Sequence, residues 1–161
     1  MAAPSPLYTI GYQGASLPAF VDALGEAGVK TLVDVRYHPF SMRPEFRKAA
    51  LARALKSAGI AYLHLKELGN PPESRDAARA GDGARYVALF RAHLEAPSAR
   101  AAMDKVIGLM GEAPAALMCL ERDPRHCHRL LVAERIAALS PLAVVHLHPA
   151  APAKPAEPKL L

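Results

Sequence analysis

The chain has 161 residues and a mass of 17.2 kDa, too short for an eight-fold α/β barrel and long enough for one domain with a real core. Hydrophobic residues at 52% and charged residues at 22% exclude disorder over most of the length, and the lack of tryptophan with only 6% aromatics argues against a broad base-stacking platform. Lys and Arg outnumber Asp and Glu by 20 to 15, and the excess is local: between Arg36 and Lys56 six basic residues meet one acid, a net +5 that leaves the remainder neutral.

Tyr8 to Gly11 reads as a short strand, followed by the Gly11–Gly14 turn and by Ser16 as a helix N-cap. Leu17, Phe20, Val21 and Leu24 recur at helical spacing, and Gly28 stops that helix before an apolar strand from Val29 to Val35. Leu51 and Leu55 mark a second helix, and Gly59 introduces a third element of strand type, Ile60 to Leu65. From Lys66 to Gly83 the polar, Pro- and Gly-punctuated sequence predicts a long loop. Tyr86, Phe90 and Leu94 mark the next helix, and Ser98 is the expected cap of another carrying Val106 and Leu109. Ala115 to Leu120 is a strand, Asp123-Pro124 reads as cap and first turn of a last helix, and Leu142 to Leu147 closes the series.

Alternating strands and helices predict a single three-layer α/β domain over residues 1–148, with a mostly parallel five-stranded sheet and about five helices on its two faces. The Pro/Ala-rich stretch 149–161 reads as a flexible tail. Two cysteines are too few for a disulfide framework, the start lacks a signal-peptide pattern and no run is long enough to span a bilayer. A reducing, cytoplasmic setting without a membrane partner is expected.

Ligands of open parallel sheets bind beyond the carboxyl ends of the strands, and here those ends carry Asp34-Val35-Arg36, His64 to Glu67, Cys119-Leu120-Glu121 and His146-Leu147-His148. The histidines at positions 64, 146 and 148 are read as ordinary wet strand ends. Asp34, following Leu32-Val33, needs a partner. Either it forms a structural ion pair with Arg36, or it moves a proton while Arg36 clamps an anion by paired hydrogen bonds.

The run from Cys119 to Arg129 is the densest in chemistry, and three readings of it compete. In the first, Glu121, His128 and Arg129 line an anion site at a helix N-terminus. Alternatively Cys119, Cys127 and His128, with Glu121, ligate zinc or iron, although the adjacency of Cys127 and His128 and the lack of a Cys-x-x-Cys pair count against it. A Cys-x5-Arg phosphate loop from Cys119 to Arg125 is disfavoured by Glu121, Asp123 and Pro124. Tyr12, at the end of the first strand, is an expected rim residue. Ser41 and Arg43 lie in a proline-stiffened basic loop suited to a phosphate backbone.

Thr9-Ile-Gly-Tyr-Gln-Gly14, Leu32-Val-Asp-Val-Arg36 with Pro39 and Ser41, Leu68-Gly-Asn-Pro71, and Cys119-Leu-Glu121 with Cys127-His-Arg129 occur in one order from about Tyr8 to His148. Together they resemble the family called domain of unknown function 488. Tyr12-Gln13 stands where many relatives carry His-Ser or Tyr-Glu. The resemblance implies a compact α/β fold and a polar site built from the Asp-x-Arg and Cys-His-Arg motifs, and supplies no reaction.

The expectation taken to the structure is a rim that binds a phosphate-bearing ligand, a nucleotide or nucleic acid. Asp34, Glu121 and His128 are the catalytic candidates; Tyr12, Arg36, Ser41, Arg43, Cys127 and Arg129 are the binding candidates. A non-catalytic nucleic-acid-binding module and a zinc- or iron-dependent enzyme are the alternatives. Catalysis as framed requires Asp34, Arg36, Glu121 and His128 to converge on one cleft.

Overall fold

The computed structural model describes residues 5–150. Its strands are β1 (Leu7–Gly11), β2 (Thr31–Asp34), β3 (Ala61–His64), β4 (Ala115–Cys119) and β5 (Val144–Leu147), and its helices are α1 (Leu17–Glu26), α2 (Lys48–Ser57), α3 (Pro72–Arg79), α4 (Gly83–Leu94), α5 (Pro97–Met110) and α6 (His128–Leu139). All strand pairs are parallel, in the order β3-β2-β4-β1-β5. The tail expected over 149–161 falls outside the described residues from 151 onward.

Local chemistry accounts for the first half. Ser16 Oγ accepts from the Ala19 amide at 3.2 Å and caps α1. Gly28 and Gly59, at φ +75° and +76°, supply the left-handed residue that ends α1 and α2 and releases the chain into β2 and β3. Side-chain alternation then sends residues to two cores. Leu32 joins Ile10, Phe20, Leu24, Phe46, Leu51 and Met118 beneath α1 and α2. Val33 and Val35 join Leu7, Phe90, Met103, Leu117 and Ile136 beneath α4, α5 and α6. Each fully buried Leu or Phe among them contributes about 1.5–3 kcal/mol.

Three local expectations change. The segment Lys66–Gly83 is mostly ordered: a 3₁₀ turn at Lys66–Leu68 is followed by α3, for a total of six helices among the described residues. Pro72 opens α3, whose buried face consists only of Ser74 and Ala77, so it carries no apolar periodicity to detect. Ser98 lies inside α5, because Pro97 takes the first turn and Ala96 the cap position. Asp123 caps only a 3₁₀ turn, Pro124–His126; α6 starts afterwards at His128, with Cys127 as its N-cap.

The topology locates a crevice. The connections after β1 and β2 carry α1 and α2 to one face, whereas the connection after β4 carries α6 to the other. Because β4 lies between β2 and β1, its carboxyl end sits where neighbouring chains diverge, which is the ligand position of doubly wound sheets.

Candidate functional site

A cleft of about 480 Å³ opens at that end. Arg36, Tyr37 and His38 enter it from beyond β2, Cys119 to Glu121 from the end of β4, and His126, Cys127 and His128 from the turn into α6; Asn70, just before α3, with Arg75 and Arg79 of α3 and Tyr86 of α4, closes it. The volume is within the range of small-molecule sites.

Its floor is a buried cluster. Cys119 and Cys127 are free thiols, 6% and 7% exposed, and His128 is 7% exposed. His128 Nδ1 lies 3.8 Å from both Cys119 Sγ and Cys127 Sγ. Its Nε2 is 2.7 Å from the Val35 carbonyl. A carbonyl only accepts, so Nε2 carries the hydrogen, and Nδ1 is the atom presented to the sulfurs. Phe90 packs edge-on against the imidazole, with centroids 5.4 Å apart, and helps fix the ring plane.

The thiols are not equivalent. Cys127 caps α6, and its Sγ accepts from the Arg129 amide at 3.5 Å. Burial opposes ionisation of Cys127, but hydrogen bonds from Cys119 and His128 outweigh it and hold this thiol well below its ordinary range. Its hydrogen bond to Cys127 and its own burial push the Cys119 thiol up. Glu121 Oε2 is 3.8 Å from Cys119 Sγ, and burial, reinforced by Cys127, pushes the Glu121 carboxyl up toward the protonated form. Burial also works against the imidazolium of His128, yet pairing with Cys127 raises it above the usual histidine range.

Two internal contacts shape the loop that carries Glu121. Arg129, expected as an anion contact, is fully buried; its Nη1 donates to the Glu121 carbonyl at 2.5 Å and its Nη2 to that of Arg122 at 3.3 Å. It holds the loop, and its charge does not reach the cleft. The backbone space at Gly11 is taken by the same loop: a Cβ there would stand 1.8 Å from the Glu121 carbonyl oxygen. The glycine that ends β1 thus admits the loop after β4.

Asp34 lies on the opposite side of the sheet. Alternation points it toward α1 and α2, where it is fully buried, accepting from Arg36 Nη2 at 2.7 Å and from the Tyr62 hydroxyl at 2.5 Å. The guanidinium of Arg36 is spent on Asp34, Tyr12 Oη and the carbonyls of Phe40 and Phe46. The expected convergence is therefore met by Arg36, Glu121 and His128, which line the cleft, and not by Asp34. The geometry is that of the structural ion pair, tying β2 to the loop before α2.

Tyr12, expected at the rim, is 2% exposed and stacks on Phe46 with centroids 4.6 Å apart. Ser41 is buried and accepts from the Arg43 amide, while its carbonyl accepts from Arg47 Nε. Arg43 donates to Glu45 and to the Tyr12 carbonyl. None of these lines the cleft; the loop cations fold the loop, and Lys48, Arg53 and Lys56 remain exposed on α2. Arg125 turns to Asp123 at 2.8 Å, outside the cleft, which removes the Cys-x5-Arg reading. His64 and His146 are satisfied locally, by the Arg36 carbonyl and by Thr9.

The protein-family model described as Domain of unknown function DUF488 matches residues 16–136, about three quarters of the chain. The chain belongs to the DUF488 family. Comparison with curated proteins and with solved structures finds no match. No helix among the described residues is long and apolar enough to cross a membrane.

The cleft of this DUF488 protein is also lined by residues that were not site candidates in the sequence, among them Tyr37, His38, Arg75, Arg79, Tyr86 and His126. The spacing of Arg75 and Arg79, four apart, was the available signal for two cations on one helix face. It carries meaning only once α3 is known to be helical. Tyr37 links the groups, with Arg75 and Lys66 over its ring at 5.3 and 4.6 Å.

Proposed function

We propose that this DUF488 protein binds a phosphate-bearing small molecule of nucleotide size in the cleft at the end of β4. The observation that carries the reading is the placement of Arg75 and Arg79, one turn apart on α3, over the Cys119–Glu121–His128 floor. Neither guanidinium forms an ion pair with an acid among the described residues, so both keep donors for an anion. Imidazoles of His38 and His126 line the same opening. Tyr37 and Tyr86 offer aromatic surface of the kind that holds a base or sugar. Glu121, with its carboxyl pushed up by burial, is the group we assign to proton transfer in any turnover of the ligand.

Calorimetric titration of the wild type with a nucleoside monophosphate and with inorganic phosphate tests this, alongside Arg75→Glu/Arg79→Glu. Loss of one charge-assisted hydrogen bond weakens binding about tenfold or more, so the double variant is expected to lose at least that factor. Absence of binding by the wild type, or equal affinity in the variant, overturns the reading. An oligonucleotide whose affinity falls with Lys48→Glu/Arg53→Glu and not with the α3 variant would move the function to the exposed basic face of α2, as expected of a nucleic-acid-binding module.

A further inference from the structure

We infer that Cys119, Cys127 and His128 form a three-ligand site for a thiophilic divalent metal ion, zinc foremost, in the floor of the cleft. Sγ of Cys119, Sγ of Cys127 and Nδ1 of His128 all lie within 4.8 Å of one another. Tetrahedral zinc with bonds of about 2.3 Å to sulfur and about 2.0 Å to nitrogen places donors about 3.5–3.8 Å apart. The two sulfur-to-nitrogen separations are both 3.8 Å. Two of the three donor edges already have nearly the length an ion requires, and the sulfur-to-sulfur edge lies within 4.8 Å.

The orientation of His128 is the second, independent observation. Its Nε2–H donates to the Val35 carbonyl at 2.7 Å, the outer contact that fixes the tautomer of a metal-binding imidazole and leaves the other nitrogen to the ion. Nδ1 has no partner except the two sulfurs. Two small buried thiols pack as well without an imidazole between them, whereas a buried ring nitrogen that faces only two sulfurs makes a donor set for an ion, which releases the proton Nδ1 shares with Cys127 on binding.

Adjacency of Cys127 and His128, which counted against this set in the sequence, is resolved by the backbone. Cys127 is extended, at φ −133° and ψ 143°, and His128 begins α6. The 3₁₀ turn Pro124–His126 returns the chain to Cys119. Three protein donors leave a fourth position, and because all three line the cleft it faces the space where a ligand enters, with Glu121 beside it. That is the arrangement of a reactive ion, in contrast to closed four-ligand structural sites. Thiolate and imidazole donors select zinc or ferrous iron over magnesium and calcium.

The experiment is titration of the reduced, chelator-treated full chain with Co²⁺ as a spectroscopic stand-in for zinc, followed by displacement with Zn²⁺. A near-ultraviolet thiolate-to-cobalt band and intense tetrahedral bands at one equivalent are expected; Zn²⁺ should abolish them. Cys119→Ser and Cys127→Ser should each lose thiolate-band intensity. A wild-type spectrum with only weak octahedral bands, or bands unchanged in both serine variants, overturns the site. Where a serine variant fails to fold, alkylation of the wild type mapped by mass spectrometry decides: zinc should protect both cysteines and chelation should release them, and equal modification with and without zinc overturns the site. Arg75→Glu/Arg79→Glu should leave the cobalt spectrum intact, so failure of the metal site and failure of phosphate binding are separate results.

Discussion

Asp34, the last residue of β2, and Arg36, two residues further on, form a buried ion pair. Arg36 Nη2 lies 2.7 Å from Asp34 Oδ2, Nε reaches both carboxylate oxygens at 2.9 and 3.1 Å, and the side chains are 6% and 0% exposed. The same guanidinium grips the Phe46 carbonyl at 2.8 Å, so one residue pins the turn between β2 and α2. An isolated buried guanidinium could not do this, because the carboxylate compensates its desolvation.

Removing the carboxylate leaves that charge uncompensated. Asp34→Ala is expected to cost about 3–5 kcal/mol of stability, read as a lowered denaturant midpoint, while the fraction that remains folded binds nucleotide in the cleft as the wild type does. A loss under about 1 kcal/mol would reduce the pair to the worth of a surface contact. Intact stability with abolished binding would return Asp34 to the site.

Gly11 and Gly25 make opposite predictions. At Gly11 a Cβ meets the Glu121 carbonyl oxygen at 1.8 Å, a backbone atom that cannot swing aside. Gly11→Ala should therefore cost about 1–3 kcal/mol, as overpacking does, and should displace the loop carrying Glu121, weakening ligand binding in the surviving folded protein. At Gly25, near the end of α1, nothing lies within 4 Å, and Gly25→Ala should stabilise by about 0.4–1 kcal/mol through the unfolded chain. Chemical denaturation of the two variants side by side measures both.

His146 predicts a sign with pH. Its imidazole is held below the ordinary histidine range by partial burial first, then by Arg129 and His148, against a smaller opposing effect of Glu134. Between the lowered folded value and the ordinary value the unfolded chain binds more protons, so stability rises with pH through this window and is lost as pH falls through it. Denaturant midpoints at pH 7.5 and 5.5 should therefore differ more in the wild type than in His146→Gln. An equal difference in both proteins would show that His146 contributes nothing to acid sensitivity.

The alternation of short apolar runs with helical spacing was enough to read the parallel sheet and its two helix layers, because strand and helix periods are local properties of the chain. Gly28 and Gly59 marked the helix ends for the same reason: a left-handed backbone is a demand of one residue. Helix α3 escaped because its buried face is Ser74 and Ala77, which leave no hydrophobic trace. Its Arg75 and Arg79, which line the cleft, escaped with it.

The motifs around Asp34 and Cys119 were visible in the sequence, and so was their position at strand ends. Which of them share a cavity was not. Asp34 and Cys119 end adjacent strands, yet the pairing of Asp34 with Met118 and the reversal of side chains at each residue send the carboxylate under α2 and the thiol under α4 and α6. A one-residue difference in register separates two polar networks by the thickness of the sheet. Likewise Cys127 and His128 are neighbours whose usefulness to one ion depends on a 3₁₀ turn and on the Val35 carbonyl, 93 residues away. Composition and periodicity determined the layers and the rim of this protein; strand register and long-range hydrogen bonds decided which residues on that rim work together, since both join parts of the chain that no local pattern connects.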